Sequence, residues 1–226
     1  MLKGKRARII LACGAIGLGL LSTILGAATF TSSRPTLAMG VNGAFVIPRL
    51  SDHRNHFGGG LSLFLALSKN FALELTGQFS RGSTLGNMDD PENSLSKGAL
   101  QQIPVQLMLQ VRLPIGRFPI VPYVTGGGGF SFNSFTLDAD TAAAYKGLGF
   151  DIAESIDPAP VLCAGGGLDI IPTRSLIISL QCLYRFSQAD GAWSISDEIS
   201  GAEVHGSLEG LKLDSLVLGL GLKFVF

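Results

Sequence analysis

The chain closes on Leu216-Val217-Leu218-Gly219-Leu220-Gly221-Leu222-Lys223-Phe224-Val225-Phe226. Leucine or phenylalanine holds every even position, and valine, glycine or lysine every odd one. Successive side chains of a strand point to opposite faces, so period two with one greasy face reads as a β-strand. A soluble protein could bury that face in a core. The alternation alone therefore does not say which solvent it meets.

Seven further segments upstream read the same way. Residues 71–81 set Phe71, Leu73, Leu75 and Phe79 against Glu74, Thr76, Gln78 and Ser80, and residues 101–113 set Ile103, Val105, Leu107 and Leu109 against Gln102, Gln106, Gln110 and Arg112. Strands over about 38–49, 58–68, 120–135, 159–171 and from Leu176 to Phe186 complete the set. Their connections alternate in length. Lys69-Asn70, Pro114 to Pro119 and Pro172 to Ser175 are short turns, whereas 51–56, 82–100, 137–158 and 188–207 read as long polar loops, the third with a short helix over Thr141 to Tyr145. Short turns at one end and long loops at the other, on about ten-residue staves, are the asymmetry of a transmembrane barrel.

Composition supports that solvent. Mean hydropathy is +0.40 with 15% charged residues, yet no apolar run of about 18 residues follows residue 40, which excludes a helical multispan protein. Strands in hydrocarbon must pair every backbone group and so close into a ring. Eight strands enclose a lumen that side chains can fill. The predicted fold is all-β, an eight-stranded antiparallel up-and-down barrel over residues 39–226, preceded by a cleaved signal peptide over residues 1–38.

That N-terminal segment carries Lys3, Lys5, Arg6 and Arg8 before an apolar stretch from Ile9 to about Leu25, the layout of an export signal. Thr36-Leu37-Ala38, behind the helix-breaking Pro35, is the favoured cleavage box, and Gly26-Ala27-Ala28 is the other. An uncleaved anchor and a lipoprotein box at Ile10 to Cys13 are weaker alternatives. Five of the 17 basic residues fall in this segment and no acidic one does, leaving 12 basic against 17 acidic beyond it. Such a surface does not suit nucleic acid. Cys163 and Cys182 fall on opposite faces by parity, so they are not expected to form a disulfide.

Inward parity collects Glu74, Arg112, Asp169, Arg185 and Lys223, with Gln78, Gln106, Gln110 and Gln181. Glu74, Arg112 and Asp169 lie near short turns and Lys223 near the C-terminus, so these four should share one depth and neutralise one another. A structural ion-pair network of Glu74, Arg112, Asp169, Arg185 and Lys223 that fills the barrel is the plainer reading, and a gate or proton-conducting plug the sharper one. Gly126 to Gly129 and Gly165 to Gly167 should permit sharp curvature or close packing of a large side chain, with Tyr123 and Phe64 as the candidates.

Ile103-Pro104-Val105-Gln106-Leu107-Met108-Leu109-Gln110, then Val121-Pro122-Tyr123-Val124-Thr125-Gly126-Gly127-Gly128-Gly129-Phe130, resembles the small eight-stranded outer-membrane barrels of the OmpA/OmpW-like group. Phe71-Ala72-Leu73-Glu74-Leu75 resembles their third strand. Leu222, Phe224 and Phe226 resemble their C-terminal assembly signal. The resemblance implies Sec-dependent export to the outer membrane with both termini periplasmic. It also implies handling by periplasmic chaperones and the barrel-assembly machinery, contact with outer-membrane lipid and lipopolysaccharide, and a monomer. Thr125 where glycine is common, and a sparse aromatic girdle, depart from the pattern.

Three functions compete: a non-enzymatic barrel, structural or porin-like with a narrow polar lumen; a barrel enzyme acting on lipid A or phospholipid; and a soluble secreted barrel. The enzyme needs a Ser or His pair at the outer rim, and His53, His56, His205 and Ser207 show no recognisable motif for one. No catalytic residue, cofactor or metal is expected. The acidic runs Asp89-Asp90-Pro91-Glu92 and Asp197-Glu198 match no calcium-loop spacing.

Overall fold

A computed structural model describes residues 36–49, 53–86, 95–115, 119–197 and 200–226. The expected export signal, apart from its last three residues, and the acidic run at 89–92 lie outside the described residues. Eight long strands close into one antiparallel barrel: β1 (Thr36–Pro48), β2 (His56–Ala66), β3 (Phe71–Leu85), β4 (Lys97–Arg112), β5 (Ile120–Leu137), β7 (Ala159–Thr173), β8 (Leu176–Asp197) and β10 (Ser215–Val225). Strand β10 pairs with both β1 and β8, which seals the ring and leaves no edge. The first strand starts at Thr36, three residues ahead of the expected boundary. Ala38 is wholly buried, opposite both Val225 and Phe64.

The register sets the barrel's dimensions. Stepping across hydrogen-bonded partners from Val225 leads through Ala38, Phe64, Glu74, Met108, Gly127, Cys163 and Arg185 back to β10 at Ser215, ten residues from the start. A stagger of ten over eight strands, with ~3.3 Å per residue and ~4.8 Å between strands, corresponds to a tilt of about 40°. At that tilt an eleven-residue strand such as β10 rises about 28 Å along the barrel axis.

The two long loops expected at 137–158 and 188–207 are largely structured. Helix α1 (Ala139–Gly147) and strand β6 (Phe150–Ile156) occupy the first. Strand β8 runs on to Asp197 in the second and β9 (Glu203–Lys212) follows it. β6 and β9 flank the protruding half of β8 in a three-stranded sheet above the loop end. The pairing of β9 with β8 shifts register near Gly210, whose φ of 68° favours glycine and whose N–H donates to Asp190 Oδ1 at 2.8 Å.

Outward positions of the barrel are apolar from Leu37 to Ile47, Phe57 to Leu65, Phe71 to Phe79, Ile103 to Val111, Ile120 to Phe132, Leu162 to Ile170, Leu176 to Phe186 and Leu216 to Phe224, with glycine, proline, cysteine and tyrosine the other types among them. No outward position in these stretches carries a charge. Arg81, Gln101 and Gln188 begin a polar collar above the band. Cys163 is buried inside and Cys182 exposed outside, both free, as parity requires.

Candidate functional site

The inner face is filled by side chains. At the turn end Ala38, Phe64, Ala72 and Ile177 form an apolar floor. Two ion pairs rest beside it: Lys223 Nζ lies 2.7 Å from Glu74 Oε1, and Arg112 Nη2 lies 3.0 Å from Asp169 Oδ2. All four side chains are buried. Each carboxylate takes a further donor, Gln110 Nε2 on Glu74 and the Ser179 hydroxyl at 2.6 Å on Asp169. Both cations also sit over the ring of Phe64, Lys223 Nζ at 4.8 Å and Arg112 Cζ at 5.2 Å from its centroid. A buried ion pair survives only when its geometry is good and its remaining lone pairs are satisfied. Here hydroxyl, amide and aromatic face supply most of what water would, and the buried Arg112 Nε–H and Gln110 Oε1 are left without a partner among the described residues.

Sequence parity points Phe64 inward but does not say what it meets. Instead of packing on the glycine runs, Phe64 lies among the floor residues Ala38, Ala72 and Ile177 with the two cations over its ring. Tyr123 does take that role: a Cβ on Gly167 would lie 2.6 Å from the Tyr123 hydroxyl oxygen. The remaining inward glycines answer to curvature. A Cβ on Gly127 or Gly129 would fall 2.1 or 1.9 Å from the carbonyl oxygens of Leu107 and Val105. On Gly165 it would fall 2.2 Å from that of Cys182. The wall from β4 to β8 bends too sharply there for any side chain.

Arg185 stands apart from the two ion pairs with which it was grouped. It sits opposite Ser215 at the loop end of β10, whereas Lys223 lies eight residues further along that strand. Its guanidinium donates to the neutral amide oxygen of Gln78, and Gln78 Nε2 donates to Asn42 Oδ1 at 3.1 Å. Reach decides the difference: four residues of β3, about 13 Å, separate Gln78 from Glu74.

Above the barrel, Leu95, Leu100, Ile156, Leu208, Leu211 and Leu213 form a separate apolar core with Phe135 and Trp193 packed on it. Glu154 on β6 ties the cap down through the backbone N–H of Ser96 at 3.3 Å and the Ser96 hydroxyl. The sequence cue for this cap is the alternation running on past Phe186, with Gln188 and Asp190 on the outward face and Ala189, Gly191 and Trp193 on the inner one. At the rim the Lys97 ammonium, 3.0 Å from Asp138, holds that carboxyl below its usual range. His205 lies 3.7 Å from Glu203, and the His56 Nδ1 contacts the Arg54 carbonyl oxygen at 3.0 Å. Neither is hydrogen-bonded to a serine hydroxyl among the described residues.

No family model matches the chain and no curated protein matches it by sequence. Solved structures resemble it in shape. OprG, an outer membrane protein of Pseudomonas aeruginosa, superposes with a TM-score of 0.53 at 15% identity, over 85% of this chain and 95% of that one. Neisserial surface protein A gives 0.52 at 11% identity over 87% and 100%. Outer Membrane Protein W of E. coli gives 0.50 at 18% identity over 87% and 100%. Closure after eight strands, short turns at one end, and these superpositions agree: the chain has the fold of the small, OmpW-like eight-stranded outer-membrane β-barrels.

Proposed function

We propose that this chain is a non-enzymatic outer-membrane barrel whose lumen is closed at rest, with both termini periplasmic and the three-stranded cap outside the cell. The observation that carries the reading is the division of charge. The outer band is free of charged residues over a height of about 28 Å, close to a bilayer's hydrocarbon thickness, while five charges are confined to the inner face. A soluble ligand-binding barrel would reverse that order. Closure follows from the floor at Phe64, the two ion pairs above it and the cap core, which leave no wide path through the described residues. Leu222 and Phe224 face outward on β10, and the Phe226 N–H donates to Leu37 O at 3.0 Å. They suit a terminal strand offered to an assembly machine.

Of the two signal cleavage sites, the one after Ala28 leaves β1 whole. Cleavage after Ala38 would remove a buried residue of the floor. N-terminal sequencing of the exported protein separates them.

Single-channel recording in planar bilayers tests closure. The expected result is no stepwise conductance at moderate voltage for the refolded chain. Stable openings would refute the closed lumen, and solubility without detergent would refute the membrane reading.

A further inference from the structure

Of the five inward charges, four cancel in pairs and one does not. Arg185 is 7% exposed, and no carboxylate among the described residues lies within ion-pair distance of it. Its side-chain partners are the neutral Gln78 amide oxygen and the Cys163 sulfur, neither of which is a carboxylate. Its Nε–H is fully buried and has no partner. A guanidinium cannot shed its proton in a protein, so this charge is not relieved by titration. A buried cation without a counter-charge is costly.

Arg185 lines a small chamber shared with Gln102, Pro104, Ser131, Ser187 and Ser215. No acidic side chain faces it. Two hydroxyls are already committed, Ser131 donating to Asn133 Oδ1 at 2.8 Å and Ser187 to the Pro160 carbonyl at 3.1 Å. The Gln102 amide and the Ser215 hydroxyl have no hydrogen-bond partner among the described residues. With the Arg185 Nε–H, each of them can turn a donor toward an anionic guest. The free space beside the guanidinium is narrow, on the scale of one water or one ion of similar size.

We propose that this chamber binds a single halide-sized monovalent anion, chloride being the available one, as the counter-charge of Arg185. A water could accept from the Nε–H but would leave the positive charge uncancelled. The site is independent of whether the lumen conducts and of which membrane surrounds the barrel.

The test is unfolding of the refolded full chain in zwitterionic micelles, with sodium chloride replacing sodium gluconate at constant ionic strength up to 0.5 M. An anion bound only by the folded state shifts the unfolding equilibrium constant by up to tenfold per tenfold rise in chloride. That slope is expected in the wild type and absent in Arg185→Gln. Ser215→Val fills the chamber while keeping the guanidinium, and should abolish the slope as well. If Arg185→Gln fails to give the heat-modifiable gel migration of a folded barrel, Ser215→Val decides alone. A chloride slope in either folded variant equal to that of the wild type, or none in the wild type, overturns the proposal and leaves a water-filled chamber.

Discussion

Replacing Glu74 by glutamine removes one charge from the floor of the lumen and changes almost nothing in shape. Lys223 Nζ then loses the partner at 2.7 Å. At an effective dielectric of about 20, opposite charges at that separation attract by roughly 6 kcal/mol. Part of this returns because the carboxylate no longer has to be desolvated. The new amide also has only one acceptor oxygen for the two donors that Glu74 now serves, Lys223 and Gln110. Breaking a buried pair on one side costs about 3–5 kcal/mol, and the Phe64 ring at 4.8 Å offsets about 0.5–2 kcal/mol of an exposed or desolvated cation's cost.

The expected loss for Glu74→Gln is therefore about 3 kcal/mol, read from urea unfolding in micelles by the shift between folded and unfolded gel mobility. Glu74→Leu combined with Lys223→Met removes both charges and leaves an apolar filling of similar volume. That double variant should sit within about 1.5 kcal/mol of the wild type, since apolar replacement of both partners is often neutral. A loss below about 1 kcal/mol for the single variant would sink the reasoning. So would a double variant as unstable as the two single ones together.

Three other outcomes follow from the same geometry. Gly129→Val places a Cβ 1.9 Å from the Val105 carbonyl oxygen and should prevent closure of the barrel, whereas Gly43→Val meets nothing within 4 Å and should fold normally; heat-modifiable migration reads both. Leu107→Lys, in the middle of the apolar band, should cost about 2–4 kcal/mol in a bilayer, while Val204→Lys on the cap should change little, and refolding into liposomes compares them. The Lys97–Asp138 pair has a depressed carboxylate, so its contribution is present above the ordinary carboxylate range and is lost as pH falls through the lowered value. Amide exchange at the start of α1 should accelerate below about pH 4, less so in high salt; an unchanged rate would dismiss the pair.

Much of this barrel was legible along the chain because a strand's parity is a local property. Once Leu218, Leu220 and Leu222 share a face, Lys223 must take the other. The same parity placed Glu74, Arg112 and Asp169 inside, and their nearness to short turns placed them at one end. It also separated Cys163 from Cys182. Loop lengths, read from proline, glycine and charge, told the two ends apart. The cap is not legible along the chain because its polar composition is that of a loop. Strand propensity at Phe150 to Ile156 and Glu203 to Lys212 is weak by itself, and those strands form because the protruding half of β8 supplies partners on both sides.

By itself, then, the sequence determined the alternation, the number of staves and the sign of each face, since all three depend on neighbours along the chain. Stagger, and with it who meets whom across the lumen, came only from tertiary structure. The ten-residue stagger brings Lys223 to Glu74 and Arg112 to Asp169, places both cations over Phe64, and carries Arg185 beyond reach of any of these carboxylates. Side chains from opposite walls are set against each other by closure of the ring, which no local pattern encodes. That is why five charges of one parity divide into two neutral pairs and a single buried cation.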